Sequence, residues 1–253
     1  MSQPSILISN DDGIYAPGIY ALWEAMSEIG QTTVVAPNTE KSAVGHAITI
    51  SDPIRIEEVT RSNGFKGYAV NGTPADSVKI AVKSIMKVKP DIIISGINAG
   101  ANVGRSLLYS GTISAATEGT FLGIPSIAIS LDSLRDMDFS TSKIVAKKIV
   151  NKVINHGLPN DTLLNINVPK DVENGIKGFQ VTRQGAIYFK DNFEKREDPR
   201  GRTYYWMTGE VKDTDLDLES DGVAIKEGYV SITPLQLQMT NFDFIDELTT
   251  WSF

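Results

Sequence analysis

Ser5-Ile6-Leu7-Ile8-Ser9, followed by Asn10-Asp11-Asp12-Gly13 and then by PGIYALWEAMSEIG (17–30), reads as a short apolar strand, a polar turn and an amphipathic helix. Gly30 is placed to stop that helix, and Thr32 to Ala36 is a second β-rich run before Pro37. Strand, helix, strand in this order predicts a βαβ unit, and with it a parallel sheet.

The same grammar continues along the chain. Tyr68 to Val70 reads as a strand. In Thr73-Pro74-Ala75-Asp76, Thr73 is a good N-cap, Pro74 suits the first turn and Asp76 favours the helix dipole, so a helix to about Val88 follows. Strands are expected at Asp91–Ser95, Ile124–Ser130 and Leu163–Val168, with helices at Ser114–Leu122 and Phe139–His156 between them. The expected class is α/β: a Rossmann-like, mainly parallel sheet with helices on both faces. Such sheets bind ligands beyond the carboxyl ends of their strands, which points to the loops after Ser9, after Ala36 and after Ser95.

From Tyr188 to Asp221 this pattern breaks into a stretch rich in charge and aromatics without a long apolar period. The expectation is one domain over 1–253, with a core of about 1–185 and 223–253 and an extended excursion at about 186–222. Tyr204, Tyr205 and Trp206 in so polar a segment fit either packing on another subunit or folding back onto the parent domain.

Composition narrows the function classes. Of 253 residues, 41% are hydrophobic, enough for a sizeable core. The formal charge is −7, and the 24 Lys and Arg form no run that would neutralise successive phosphates, which argues against long nucleic acid but not against a small anion. There is no cysteine, so disulfides, thiolate ligands and cysteine nucleophiles are absent, in keeping with a cytoplasmic location. No stretch approaches 18 apolar residues and the start MSQPSILISNDDG lacks the features of a signal peptide, so neither membrane spanning nor secretion is expected.

Several residues are suited to chemistry. Asp11 and Asp12 at a strand end put two carboxylates within reach of a hard divalent cation, although Asn-Asp-Asp-Gly is also good turn chemistry. Ser95 to Gly104 combines three glycines with two asparagines, and Asn98 offers an amide oxygen to a cation; a tight loop needing positive φ explains the glycines equally. The loop is not a Walker A motif, since Arg105-Ser106 stands where the lysine pair is required. Ser110-Gly111-Thr112 precedes a helix and presents hydroxyl and N–H groups to a phosphate, or simply caps the helix. In the loop 38–46, Ser42 is a neutral oxygen donor, and His46 suits proton transfer, substrate binding or a plain surface role.

Taken together, ILISNDDGIYAPGI, VVAPNTEKSAVGHAIT, VNGTPADSVKIAV, PDIIISGINAGANVG and LLYSGTISAATEGTFLGIPSIAIS resemble, in order, the segments of the survival protein E (SurE) family, and SDGVAIKEGYVSITPL extends the match towards the C-terminus. The resemblance implies a Rossmann-like core, a C-terminal β-rich extension used to form homodimers or homotetramers, and hydrolysis of nucleoside 5′-monophosphates, with 3′-monophosphates as further substrates. It implies one divalent cation per subunit, Mg²⁺ or Mn²⁺, held by Asp11, Asp12, Ser42 and Asn98. Asp11 or Asp12 then assists the attacking water, while Asn102, Ser110, Gly111 and Thr112 position phosphate. Arg105-Ser106 stands where many relatives carry acidic residues, and Ser220 where threonine often precedes aspartate; both bear on substrate preference and subunit contact. Two alternatives stay open: an aspartyl-phosphate enzyme, although the Asp-x-Asp pair is missing, and a nucleotide-binding protein without hydrolysis. The preferred base, the physiological metal and any action on polyphosphate are not legible.

Overall fold

The structure is a computed structural model that describes residues 3–61, 63–170 and 175–253. Strand β1 (Ser5–Ser9), helix α1 (Pro17–Ser27) and strand β2 (Gln31–Pro37) form the opening βαβ unit, with β1 parallel to β2 from Ser5 opposite Gln31 to Ile8 opposite Val34. Alternation along β1 sorts the core: Ile6 and Ile8 pack on one face of the sheet, Leu7 on the other. Pro17 opens α1, and the helix ends at Ser27 with Glu28 as its C-cap. Gly30 is therefore not the stop expected of it. A Cβ there would lie 2.4 Å from the Pro4 carbonyl oxygen, so glycine serves close backbone approach.

Strands β3 (Ile56–Thr60) and β4 (Lys66–Val70) form an antiparallel pair, and β4 joins the sheet parallel to β2. Only Val59 is buried along β3, which explains why no periodic signal marked it. Helix α2 (Pro74–Ile80) starts with a capping box between Thr73 and Asp76 and ends in one π-helical turn over Ala81–Ile85. Met86 is already extended, so the helical segment stops short of Val88.

The chain continues through β5 (Ile92–Ala99), a 3₁₀ segment (Gly104–Tyr109), α3 (Gly111–Phe121), β6 (Ser126–Leu131), α4 (Ser140–His156) and β7 (Thr162–Val168). Then come β8 (Gly178–Val181), β9 (Tyr188–Glu197), β10 (Thr203–Lys212), α5 (Asp221–Lys226), β11 (Tyr229–Gln236) and α6 (Phe242–Thr249). The main sheet runs β3-β4-β2-β1-β5-β6-β7-β11-β8. It is parallel from β4 to β7, with antiparallel pairing only at β3–β4 and β7–β11. Helices α1 and α4 cover the face lined by Ile6, Ile8, Ile92, Ile94, Ile127, Ile129 and Ile166. Helices α2 and α3 cover the other, lined by Leu7, Ile93 and Ala128. Each such isoleucine, wholly withdrawn from water, contributes about 1.5–3 kcal/mol.

Strands β9 and β10 stand apart from the main sheet as an antiparallel hairpin, in register from Tyr188 opposite Lys212 to Glu197 opposite Thr203. Phe193, Tyr204, Tyr205, Trp206 and Met207 on it are exposed, and α6 buries none of its residues.

The order of strands sets the location of the site. From β1 the chain crosses to β2 on one side, and it later returns as β5 on the other, so β1 and β5 flank the point at which winding reverses. Helices diverge there, and the carboxyl ends of the two strands open into a crevice.

Candidate active site

Asn10 shapes the turn that follows β1. Its side-chain amide donates to the Gly13 carbonyl at 3.0 Å and its Oδ1 accepts from the Gly13 N–H at 3.2 Å. Gly13 has φ +96°, a conformation that favours glycine, and lies tightly against the backbone of Thr39. The Lys41 N–H donates to the Asp11 carbonyl at 2.7 Å, which seams the loop after β2 to the turn after β1.

Two carboxylates emerge from this turn in different surroundings. Asp11 is buried, and its Oδ1 accepts a hydrogen bond from the Thr112 hydroxyl at 2.6 Å. A Cβ at Gly111 would come within 2.6 Å of Asp11 Cβ, so the approach of α3 to this carboxylate requires glycine. Burial pushes Asp11 above the ordinary carboxylate range against the pull of Thr112. Asp12 accepts the Ala99 N–H through Oδ2 at 3.2 Å. Its pKa is pushed up to about 6, first by burial and then by the charge of Asp11. The Glu40 carboxylate acts on both in the same direction. Two acids held close together, with a third nearby, favour a bound cation.

Asn98 reaches the crevice through a bulge: β5 and β6 are in step at Ser95 opposite Ala128, and again at Asn98 opposite Ser130, one residue out of register. Its side-chain nitrogen donates to the Gly100 carbonyl at 2.7 Å, and Oδ1 has no partner among the described residues. An amide so tethered presents its oxygen, the atom a hard cation takes. Ser42 is exposed and donates to Glu40 Oε1 at 2.6 Å, leaving its oxygen lone pairs available.

Helix α3 points its first turn at the same place. Ser110 is the N-cap, accepting the Ile113 N–H at 3.1 Å, and the first-turn N–H groups of Gly111 and Thr112 have no intrahelical acceptor. Asn102 is buried in a polar network: its side-chain nitrogen donates to Ser130 Oγ at 3.0 Å, its N–H to Asn167 Oδ1 at 2.8 Å, and its carbonyl accepts from Asn165 and Asn167. Direct donation from the Asn102 amide to a phosphate therefore competes with Ser130.

A cavity of about 1080 Å³ brings Asp11, Ser42, Asn98, Asn102 and Ser110 onto one wall. Asp12 lies beside it against Ala99, and Gly111 and Thr112 lie behind Asp11. The far side is made by Leu134 after β6, by Lys170 and Lys226, and by Tyr188, Phe189 and Val211 at the root of the hairpin. His46 is not on this surface; its Nε2 meets Glu118 Oε2 at 3.1 Å, so a direct part in proton transfer is not supported. Three acids on or near the cavity were missed in the sequence, one of them Asp213 just past the hairpin. Glu40 stood in a loop already singled out, and Asp132 directly follows β6, where the strand-end rule would have found it. Burial raises the Asp132 pKa against the opposing charge of Lys170.

Among the described residues no three His, Cys, Asp or Glu side chains cluster in a way that would hold a metal. Any cation here rests on two carboxylates supplemented by neutral oxygens. Among the described residues no helix is long and apolar enough to cross a membrane.

Known proteins carry the same arrangement of chain. The family described as survival protein SurE matches residues 6–191. The 5′-nucleotidase SurE of Caldanaerobacter subterraneus subsp. tengcongensis is 44% identical over 252 residues, covering 99% of this chain and 98% of the relative. That of Syntrophobacter fumaroxidans is 47% identical over 247 residues, covering 98% and 99%. The crystal structure of the SurE protein from Aquifex aeolicus superposes with a TM-score of 0.85 at 41% identity, covering 98% of this chain and 99% of that one. The family match runs from β1 into β9 and the structural likeness covers 98% of the chain, so fold and sequence agree that this chain belongs to the SurE family.

Proposed function

We propose that this protein is a divalent-metal-dependent phosphomonoesterase that hydrolyses nucleoside 5′-monophosphates, and also 3′-monophosphates, to nucleoside and phosphate. The chain is a phosphoric monoester hydrolase, as its curated relatives named 5′-nucleotidase SurE are. The observation that carries the metal dependence is the meeting of Asp11, Asp12 and the unpartnered Asn98 Oδ1 at the crevice between β1 and β5, beside Ser42.

These oxygens fit a hard cation: two carboxylates whose proton affinity is raised by burial and by each other, one amide oxygen and one hydroxyl. One Mg²⁺ or Mn²⁺ per subunit would be held by Asp11, Asp12, Ser42 and Asn98. When bound, it supplies positive charge to a phosphate oxygen and to the attacking water.

The protein's own groups divide the remaining work. Thr112 engages one oxygen of Asp11 and the Ala99 N–H one oxygen of Asp12; Asp12, the less buried of the two and with a pKa raised to about 6, is the carboxylate that takes the proton from water. At the start of α3, Ser110 faces the phosphate from the cavity wall, while Gly111 and Thr112, which lie behind Asp11, bear on it through the placement of that carboxylate; Asn102 holds the wall beside it. No side chain forms a bond to phosphorus.

The remaining surfaces suit a homodimer or homotetramer. The excursion at about 186–222, set on a core of about 1–185 and 223–253, holds a hairpin with apolar residues open on both faces, and α6 is bare. A chain without cysteine fits the cytoplasm.

The test is phosphate release from a panel of 5′- and 3′-nucleoside monophosphates by metal-stripped protein, with and without added Mg²⁺ or Mn²⁺. Metal-dependent release is expected, with no phosphate trapped on the protein in a single turnover. Absence of release with either metal would overturn the reading.

A further inference from the structure

The loop between β2 and β3 carries Ser42, yet it has no regular structure of its own over 38–50. Its position depends on a few attachments. The Lys41 N–H binds the Asp11 carbonyl and the Gly45 N–H binds the Tyr109 carbonyl at 3.0 Å. The Thr73 hydroxyl donates to the Ala47 carbonyl at 2.8 Å, and Thr49 donates from its hydroxyl to Asp76 at 2.6 Å. Between these lies the one attachment that an ionisable side chain of the loop makes beyond it among the described residues: His46 Nε2 on Glu118 Oε2 at 3.1 Å, with the imidazole stacked on Phe121 at 5.6 Å and 11° between planes.

Glu118 is built for this contact. It lies on α3, almost wholly buried, and each carboxylate oxygen has a partner: His46 on Oε2, and Lys79 from α2 on Oε1 at 2.8 Å. Burial alone would raise its pKa, but the hydrogen bonds from His46 and Lys79 outweigh this and lower it, so Glu118 is an anion. An anionic acceptor requires a proton on His46 Nε2, which fixes the imidazole as a donor. Lys79 already neutralises the buried charge, so the added effect of His46 is to tie down the loop. The same α3 holds Asp11 through Thr112 and receives the loop through Glu118, which makes one rigid helix the common reference for Asp11 and Ser42.

We propose that His46 and Glu118 are positioning residues that clamp the Ser42 loop onto α3 and thereby hold Ser42 at the metal site. The proposal rests on Ser42 being a metal ligand, as read above, so one readout of its test is independent of metal.

The variants are His46→Ala, which removes the donor, and His46→Gln, which keeps an N–H donor on a side chain of similar reach. Amide hydrogen exchange over 38–50 is measured without metal, and the Mg²⁺ concentration for half-maximal phosphate release is measured with kcat at saturating Mg²⁺. In His46→Ala, exchange is expected to quicken, and the half-maximal Mg²⁺ concentration to rise up to about 10-fold, less than for a partner bonded directly to a ligand, while kcat stays within about twofold. His46→Gln is expected to restore both. Unchanged exchange in His46→Ala overturns the clamp, as does faster exchange with an unmoved Mg²⁺ requirement, or a loss confined to kcat. Equal impairment of the two variants also overturns it. If wild type shows no response to Mg²⁺ or Mn²⁺, the metal reading fails, and with it the link to Ser42 ligation; the exchange data then judge the loop contact alone.

Discussion

Thr112 Oγ1 donates to Asp11 Oδ1 at 2.6 Å, joining the second residue of α3 to the turn after β1 across the floor of the crevice. The bond sets which face of Asp11 remains for a cation. Replacing Thr112 by Val removes the donor and leaves a buried carboxylate with less support. The expected result is a loss of Mg²⁺ affinity of about 10–100-fold, with Thr112→Ser close to wild type; titration calorimetry of metal-free protein measures it.

Gly111 stands so close that a Cβ would lie 2.6 Å from Asp11 Cβ. Gly111→Ala must displace either the helix or the aspartate, at a cost of about 1–3 kcal/mol in stability. Turnover should fall beyond what unfolding explains, as checked by assaying phosphate release well below the melting transition.

Asp12→Asn removes the proposed proton acceptor and one proposed metal ligand, and turnover should fall roughly 100-fold or more. Metal-free stability should move the other way. The folded-state pKa of Asp12 is raised to about 6 from 3.8, so its contribution to stability is present below the unfolded value and is lost as pH rises through about 6. Metal-free Asp12→Asn is therefore expected to melt above wild type at pH 8, with the difference closing by pH 4. Thermal melts at the two pH values decide this.

Metal binding must displace the proton that Asp12 takes up below about pH 6. Apparent Mn²⁺ affinity is expected to be flat above pH 7 and to fall by about tenfold per pH unit once below 6, for one displaced proton. Titrating metal-free protein with Mn²⁺ across this range measures the slope.

Phe193 and Met207 face each other across the hairpin, both exposed. Changing both to Lys places like charges at this pair and should disperse the proposed oligomer, which light scattering reads as a fall in mass. An unchanged mass would remove the hairpin from the interface.

The alternation of strands and helices was legible because each element in the centre of the sheet must bury a face: Ile6-Leu7-Ile8 and Ile92-Ile93-Ile94 leave no other reading. Strand β3 was not, since an edge strand with one buried residue carries no such requirement. Asp11 and Asp12 could be singled out because they follow a strand, and Asn98 because the strand was expected to end at Ser95 although β5 runs on through a bulge to Ala99, but their partners could not. That Thr112 serves Asp11 depends on contact between residues a hundred positions apart, which local pattern does not encode. Nor does the sequence show that His46 turns away towards Glu118, a residue that reads as an ordinary helix glutamate.

The hairpin begins as a wall of the cavity, with Tyr188, Phe189 and Val211 at its root, and ends as a ribbon on which exposed Tyr204, Tyr205 and Trp206 stand opposite charged residues. A two-stranded ribbon is too thin to hold its own shape in water, so its root is only as steady as whatever grips its far end. Dilution that releases the grip would loosen the chamber in which substrate lies. In the proposed oligomer, turnover per subunit is therefore expected to depend on enzyme concentration, and rates taken at trace concentrations to fall below those of the assembled protein.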